Sequence, residues 1–225
     1  MWRAAVKRGL ANAGRRVPDR VLYDLNGVLN YLEAGAFMRR RDLCPRRRGA
    51  TKFEVFDLIG AEVADRDVLY LEFGVAAGTS MRHWSALLRD PRSALHGLDS
   101  FEGLPDDWIL GRGAGHFSTR GRPPEIDDPR VRFFPGWFAD TLATYRFEPH
   151  EQLVVNFDAD LYSSTVTALA AVAPHAVPGT FLYFDEFNHR ADEMRAFGEF
   201  LDRTGRRCEL FAASGDLAHA AFRLL

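Results

Sequence analysis

The sequence predicts an α/β fold: a mostly parallel, seven-stranded sheet with helices on both faces, closed by an antiparallel hairpin at the C-terminus. Three observations carry that prediction. From residue 51 onward, short apolar runs alternate with stretches of helical period, and alternation of this kind implies right-handed crossovers between parallel strands. The last two strand-like runs are joined only by Ser214-Gly-Asp216, too short for a parallel crossover, so they form a hairpin. With 225 residues and 47% hydrophobic content, the chain has the apolar mass for one α/β core and too little length for two full domains.

The elements follow in order. Residues 1–50 read as a basic helical arm of short amphipathic helices, broken by Pro18 and by Pro45-Arg-Arg-Arg-Gly49. The main domain is expected over 51–225. Thr51-Lys-Phe-Glu54 has capping-box spacing and opens a helix carrying Phe53, Phe56, Ile59 and Val63. Val68-Leu-Tyr-Leu-Glu72 is the first strand, with a helix over 79–89; Ala94-Leu-His-Gly-Leu98 is the second, followed by a Gly/Pro/Asp-rich loop over 100–128. Val131-Arg-Phe-Phe134 is the third strand, with a helix over 138–145. Leu153-Val-Val-Asn-Phe157 is the fourth, with a helix over 164–173, and Phe181-Leu-Tyr-Phe184 the fifth, with a helix over 188–204. The hairpin pairs 208–212 with 218–224.

Bulk properties narrow the function. A formal net charge of −2 argues against a nucleic-acid partner. Residues 1–50 nevertheless hold twelve Lys and Arg against four Asp and Glu, which leaves an acidic body. That arm could meet an anionic lipid or glycan surface or a partner, or act as a lid or a homo-oligomer contact; a solvated helical face is the plainer alternative. Within it Val21, Leu22, Leu25, Val28, Leu29 and Leu32 repeat at helical spacing, which favours packing against something. Cys44 and Cys208 form no metal or disulfide pattern, as expected of a reducing compartment. No run has transmembrane length, and the first residues lack the apolar core of a signal peptide, so a cytoplasmic location is expected.

Ligands of open α/β sheets gather at the carboxyl ends of the strands. The first strand ends in Glu72-Phe-Gly-Val-Ala-Ala-Gly78-Thr-Ser80. Gly74 lets the backbone turn sharply, Gly78 opens the next helix toward a ligand, and Glu72 could pair with an ammonium group. Thr79 and Ser80 stand at that helix start. The spacing is not that of a dinucleotide-binding glycine loop. The second strand ends in Asp99, followed by Ser100 and Phe101; a carboxylate here can accept both ribose hydroxyls of a nucleoside, or alternatively cap a helix or turn. After the third strand come Gly136 and Trp137, where an aromatic could lie on a base or belong to the core.

The fourth strand ends in Asn156-Phe-Asp158-Ala-Asp160 and the fifth in Phe184-Asp185-Glu186. These strands are expected to be neighbours, about 4.8 Å apart, so four carboxylates converge. Such crowding needs compensation, unless some of the acids point away or are protonated. A hard divalent cation such as Mg²⁺ could supply it, holding a substrate hydroxyl and lowering its pKa, with a carboxylate as proton acceptor. Alternatively these acids are helix N-caps. His189 follows the acidic pair and is a second candidate base.

Together, Glu72-x-Gly-x-x-x-Gly-Thr-Ser, Asp99-Ser-Phe-x-Gly-Leu-Pro105, Pro135-Gly-Trp-Phe, Asp158-x-Asp-x-Tyr-x-Ser-Thr165 and Pro178-Gly with its Phe-Asp-Glu run resemble the macrocin O-methyltransferase (TylF-type) family over residues 51–225. The resemblance implies a Rossmann-like class I methyltransferase fold, S-adenosylmethionine as methyl donor, a divalent metal, usually Mg²⁺, and a small-molecule acceptor bearing a sugar hydroxyl. It implies that Glu72, Gly74 and Gly78 hold the methionine portion and Asp99 the ribose. It implies Asp158 as metal ligand and general base, with Asp185 and Glu186 as further ligands. The family pair at this last position is usually Asp-Asp, or Asp-Asn in the similar catechol-type enzymes; here it is Asp-Glu. Three readings stand: a metal-assisted O-methyltransferase, a metal-independent one using His or Asp, and a non-catalytic cofactor-binding partner protein.

Overall fold

In the computed structural model residues 2–225 are described, and Met1, the first residue of the basic arm, lies outside the described residues. The arm forms α1 (Trp2–Gly14) and α2 (Asp19–Arg40), then β1 (Arg47–Arg48) and α3 (Lys52–Val63). The sheet continues with β2 (Val68–Phe73), α4 (Thr79–Leu87), β3 (Ala94–Asp99), β4 (Val131–Pro135), α5 (Phe138–Thr144), β5 (Gln152–Phe157), α6 (Tyr162–Val172) and β6 (Phe181–Phe184). It ends with α7 (Glu193–Thr204), β7 (Cys208–Ala213) and β8 (Ala220–Leu224).

The strand order is β1-β7-β8-β6-β5-β2-β3-β4. Strands β2 to β6 pair in parallel, while β8 runs antiparallel to both β6 and β7. The seven expected strands are β2–β8. The eighth, β1, is a two-residue edge strand parallel to β7; Arg47-Arg48 carries no alternation that could announce it. Because β2 pairs with β3 on one side and β5 on the other, the order reverses there and a crevice opens at the carboxyl ends of these strands.

Two apolar layers sandwich the sheet. Phe56 and Ile59 of α3 and Trp84 of α4 pack on Tyr70, Val154 and Tyr183. The other face carries Leu169 of α6, Phe197 of α7 and Phe37 of α2 against Leu71, Val155 and Phe184. Burying side chains of this size is worth about 1.5–3 kcal/mol each, so these contacts fix where the strand ends lie.

Two sequence expectations change. The arm's second helix is not short: α2 has 22 residues, because after Pro18 only Gly27 and Gly35 interrupt its pattern, and single glycines are tolerated. Its end enters the core through Ala34, Phe37 and Met38, whereas Val21, Leu22, Leu25, Val28, Leu29 and Leu32 are exposed. The last helix starts at Glu193, not at 188; residues 185–192 form a loop in which His189 N donates to the Glu186 carbonyl. Among the described residues no helix is long and apolar enough to cross a membrane.

Candidate active site

A cavity of about 560 Å³ lies over the crevice. One side is the β2–α4 turn (Gly74, Val75, Ala76, Ala77, Thr79, Ser80) with Asp99 and Ser100; the opposite side is Asp158, Asp160, Asp185 and Glu186 with Lys52. Gly136 and Trp137 flank it, and the long loop adds Leu104, Pro105, Arg112 and Phe117.

On the first side, Asp99 organises the turn. Its Oδ2 accepts from Val75 N at 2.7 Å and Ala76 N at 2.8 Å, and its Oδ1 accepts from Phe101 N at 2.7 Å. A carboxylate holds more acceptor sites than these three, so Asp99 can cap the turn and still receive a ligand. Gly74 has φ +92°, and a Cβ there would fall 1.8 Å from the Asp158 carbonyl oxygen. The glycine is therefore required by the close approach of the β5 end. Gly78 has φ +75°, and a Cβ there would fall 2.6 Å from Pro124 Cγ.

On the acidic side, Lys52 opens α3, fixed by a capping box. Thr51 Oγ1 accepts from Glu54 N at 3.3 Å, and the Glu54 carboxylate accepts from Ala50 N at 2.8 Å. The Lys52 Nζ stands 3.7 Å from Asp158 Oδ2 and 3.7 Å from Asp185 Oδ2. The other Asp185 oxygen accepts from Tyr183 Oη at 2.7 Å and lies 3.3 Å from His219 Nδ1. Burial alone would raise Asp185, but His219 and Lys52 hold it below the usual carboxylate range. Burial and then Asp185 push Asp158 well up. Burial works against the Lys52 ammonium, yet Asp158 and Asp185 hold its pKa above the ordinary lysine value. Asp160 adopts φ +58° and is 7% exposed. Burial, followed by Glu186, pushes its carboxyl up to about 7.

These residues do not fit a divalent cation between Asp158 and Asp185. An ion there would share the gap with the ammonium, and hard cations need several oxygens at 2.0–2.6 Å or so. Among the described residues no group of three or more His, Cys, Asp or Glu side chains is arranged to hold a metal ion. The expected Mg²⁺ ligands Asp158, Asp185 and Glu186 all line the cavity, but a lysine stands where the cation was expected.

Gly74, Thr79, Ser80, Asp99, Ser100, Gly136 and Trp137 are brought to the cavity wall; Glu72, Gly78, Phe101 and His189 are not. Gly78 makes room for Pro124. Phe101 turns inward, 1% exposed, onto Phe133. His189 sits under Trp108, ring centroids 5.1 Å apart, because the loop folds it beneath the indole. Glu72 is buried behind the wall, where its carboxylate accepts from Tyr70 Oη at 2.9 Å. Sequence reasoning missed Lys52, Arg112, Tyr183 and His219. Tyr183 had a signal: Tyr70-x-Glu72 and Tyr183-x-Asp185 put hydroxyl and acid two residues apart on one strand face.

Glu72 makes stability fall as pH rises. Burial raises its carboxyl from 4.5 to about 8, so between those values the native state holds a proton that the unfolded chain has lost. Stability is then highest near the lower limit and declines through the window. Glu72→Gln keeps the shape without the charge. Its Tm is expected to match the wild type near pH 5 and to exceed it at pH 8; equal Tm values at pH 8, measured by scanning calorimetry, would refute the buried proton.

Comparison with known proteins agrees with this architecture. The O-methyltransferase NovP superposes with TM-score 0.55 at 26% identity, covering 75% of each chain. The calicheamicin methyltransferase CalS11 gives 0.58 at 21%, covering 77% of this chain and 80% of that one. The fold is that of the class I methyltransferases. Within that class, the macrocin O-methyltransferase (TylF) family model matches residues 121–213, in line with the resemblance read from the motifs. The tetracenomycin-type 8-demethyl-8-(2,3-dimethoxy-alpha-L-rhamnosyl)-tetracenomycin-C 4'-O-methyltransferase of Streptomyces olivaceus is 34% identical over 138 residues, 52% of each chain. Mycinamicin III 3''-O-methyltransferase of Micromonospora griseorubida is 38% identical over 78 residues, 35% of this chain and 30% of that one. The chain thus spans about half the length, or less, of these curated relatives.

Proposed function

We propose that this chain transfers the methyl group of S-adenosylmethionine to a sugar hydroxyl of a small natural-product glycoside. The carrying observation is that the turn organised by Asp99 and the four-carboxylate rim bound one cavity, so donor and acceptor can meet in it. The names of the relatives, three O-methyltransferases of which one is named for a rhamnosyl substrate, support the acceptor class.

In this reading Asp99 holds the ribose, Gly74, Thr79 and Ser80 border the methionine portion, and Gly136 and Trp137 border the adenine. The acceptor oxygen attacks the methyl carbon. The O–C bond forms, the C–S bond breaks with its electron pair staying on sulfur, and the hydroxyl proton passes to a carboxylate. The sequence reading gives that proton to Asp158. We assign it to Asp160: Asp158 is engaged by Lys52, whereas Asp160 lines the cavity with no ion-pair partner among the described residues. The protein's main contribution is to hold the reactants in line. The arm is tied to the loop after β6, where the Arg190 guanidinium donates to Asn30 Oδ1 of α2 at 2.8 Å.

The test is methyl transfer from S-adenosylmethionine to a panel of rhamnosylated and other deoxysugar glycosides, read as a one-methyl mass gain. Calorimetric titration with S-adenosylmethionine accompanies it; no binding would remove the reading. Asp99→Asn is expected to weaken that binding by about 10–100-fold, the loss of a charge-assisted hydrogen-bond pair. Unchanged affinity would leave Asp99 as a turn cap only.

A further inference from the structure

We propose that Lys52 is the fixed cation of this active site: its ammonium neutralises Asp158 and Asp185 and stabilises the acceptor oxygen as that oxygen gives up its proton. The inference rests on the O-methyltransferase reading above and goes beyond it by naming what takes the place of a metal.

The position of Lys52 is built from both ends. The capping box pins the first turn of α3. One turn further on, Phe56 is fully buried with its ring 4.6 Å from that of Tyr183, the same tyrosine that donates to Asp185. Helix and strand are therefore locked together where the lysine and its partners meet. The side chain is 26% exposed and lines the cavity. An ammonium has three N–H donors; with Asp158 and Asp185 each 3.7 Å away, at least one donor is left for an oxygen in the cavity. A surface ion pair of this length would contribute little. Here one cation bridges carboxyl groups from two adjacent strands, so removing it leaves a buried acidic pair with no cation between its members, which is costly.

The ammonium makes no bond in the reaction. As the acceptor oxygen approaches the methyl carbon and its proton moves to Asp160, negative charge grows on that oxygen. A preorganised cation in the cavity wall lowers the energy of that state more than it lowers the ground state. Lys52 is thus a positioning and electrostatic residue whose role a divalent ion would otherwise fill.

Wild-type enzyme is expected to turn over equally in EDTA and in Mg²⁺, and calorimetric titration with Mn²⁺ alone is expected to show no saturable binding. Lys52→Met should lower kcat by about 10–100-fold while S-adenosylmethionine Kd stays within about threefold. It should also acquire saturable Mn²⁺ binding, because the two carboxylates then lack a cation. Lys52→Arg should recover most of the rate, since a guanidinium restores the charge. Saturable Mn²⁺ binding to the wild type would overturn the proposal whether or not an acceptor has been found, and so would a wild-type kcat in Lys52→Met. Failure to bind S-adenosylmethionine is a separate result that removes the underlying reading. Should Lys52→Met not fold, the wild-type Mn²⁺ titration and the Lys52→Arg rate still decide.

Discussion

Asp160→Asn is expected to lower kcat by about 10²–10⁴-fold, the range for removing a general base, while S-adenosylmethionine Kd changes by less than about threefold. The substitution isolates the chemistry because it leaves the backbone alone. Asp160 sits at φ +58°, a region that Asn tolerates nearly as well as Asp. What it removes is the ability to take a proton. Asp160 is the rim carboxyl whose pKa, about 7, matches proton transfer near neutral pH, and it is not committed to Lys52. Asp158→Asn provides the comparison. It takes away one of two partners of a lysine that keeps Asp185, and a loss nearer tenfold is expected from weakened electrostatic positioning. The order of the two effects, read from initial rates at saturating donor and acceptor, carries the assignment. A larger loss in Asp158→Asn would return the proton to Asp158.

Much of the framework was legible because it depends on local pattern. Strand–helix alternation located β2–β8, and the Ser214-Gly-Asp216 link forced the antiparallel ending that the structure has. The neighbouring of β5 and β6 followed from the expected strand order and brought Asp158, Asp160, Asp185 and Glu186 to one rim. What stayed hidden depends on distant parts of the chain. Lys52 lies on a helix that precedes the sheet, and only packing of Phe56 on Tyr183 carries it over the carboxylates of β5 and β6. No spacing in the sequence encodes that contact. Rim crowding announced that the acids needed compensation, by a divalent cation, by pointing away or by protonation, but it did not point to a lysine. His189 was legible as near the acids, but a loop where a helix was expected turned its ring under Trp108 and off the cavity wall. Glu72 marked the right turn, where it is a buried acid held by Tyr70.

Gly74→Ala is expected to be among the most destabilising single substitutions in the chain. Two effects combine. At φ +92° a residue with a Cβ carries backbone strain of about 1–3 kcal/mol. The added carbon would also lie 1.8 Å from the carbonyl oxygen of Asp158, and the obstacle is backbone, which cannot rotate aside as a side chain would. Relief requires the ends of β2 and β5 to part, which disturbs an overpacked point at a further cost of about 1–3 kcal/mol. A total of about 2–6 kcal/mol corresponds to a fall in Tm of roughly 4–24 °C for a chain of this size. Gly35→Ala is the control of opposite sign. It lies in an exposed turn of α2 with nothing within 4 Å of the added carbon, and replacing a helical glycine there should stabilise by about 0.5–1 kcal/mol. The same displacement that lowers Tm would move Asp158 relative to the Val75 and Ala76 amides that Asp99 holds, so donor affinity should fall with stability in Gly74→Ala and remain unchanged in Gly35→Ala. If scanning calorimetry found Gly74→Ala within about 1 kcal/mol of the wild type, below the common range for strained or overpacked sites, the tight meeting of β2 and β5 on which the cavity depends would be wrong.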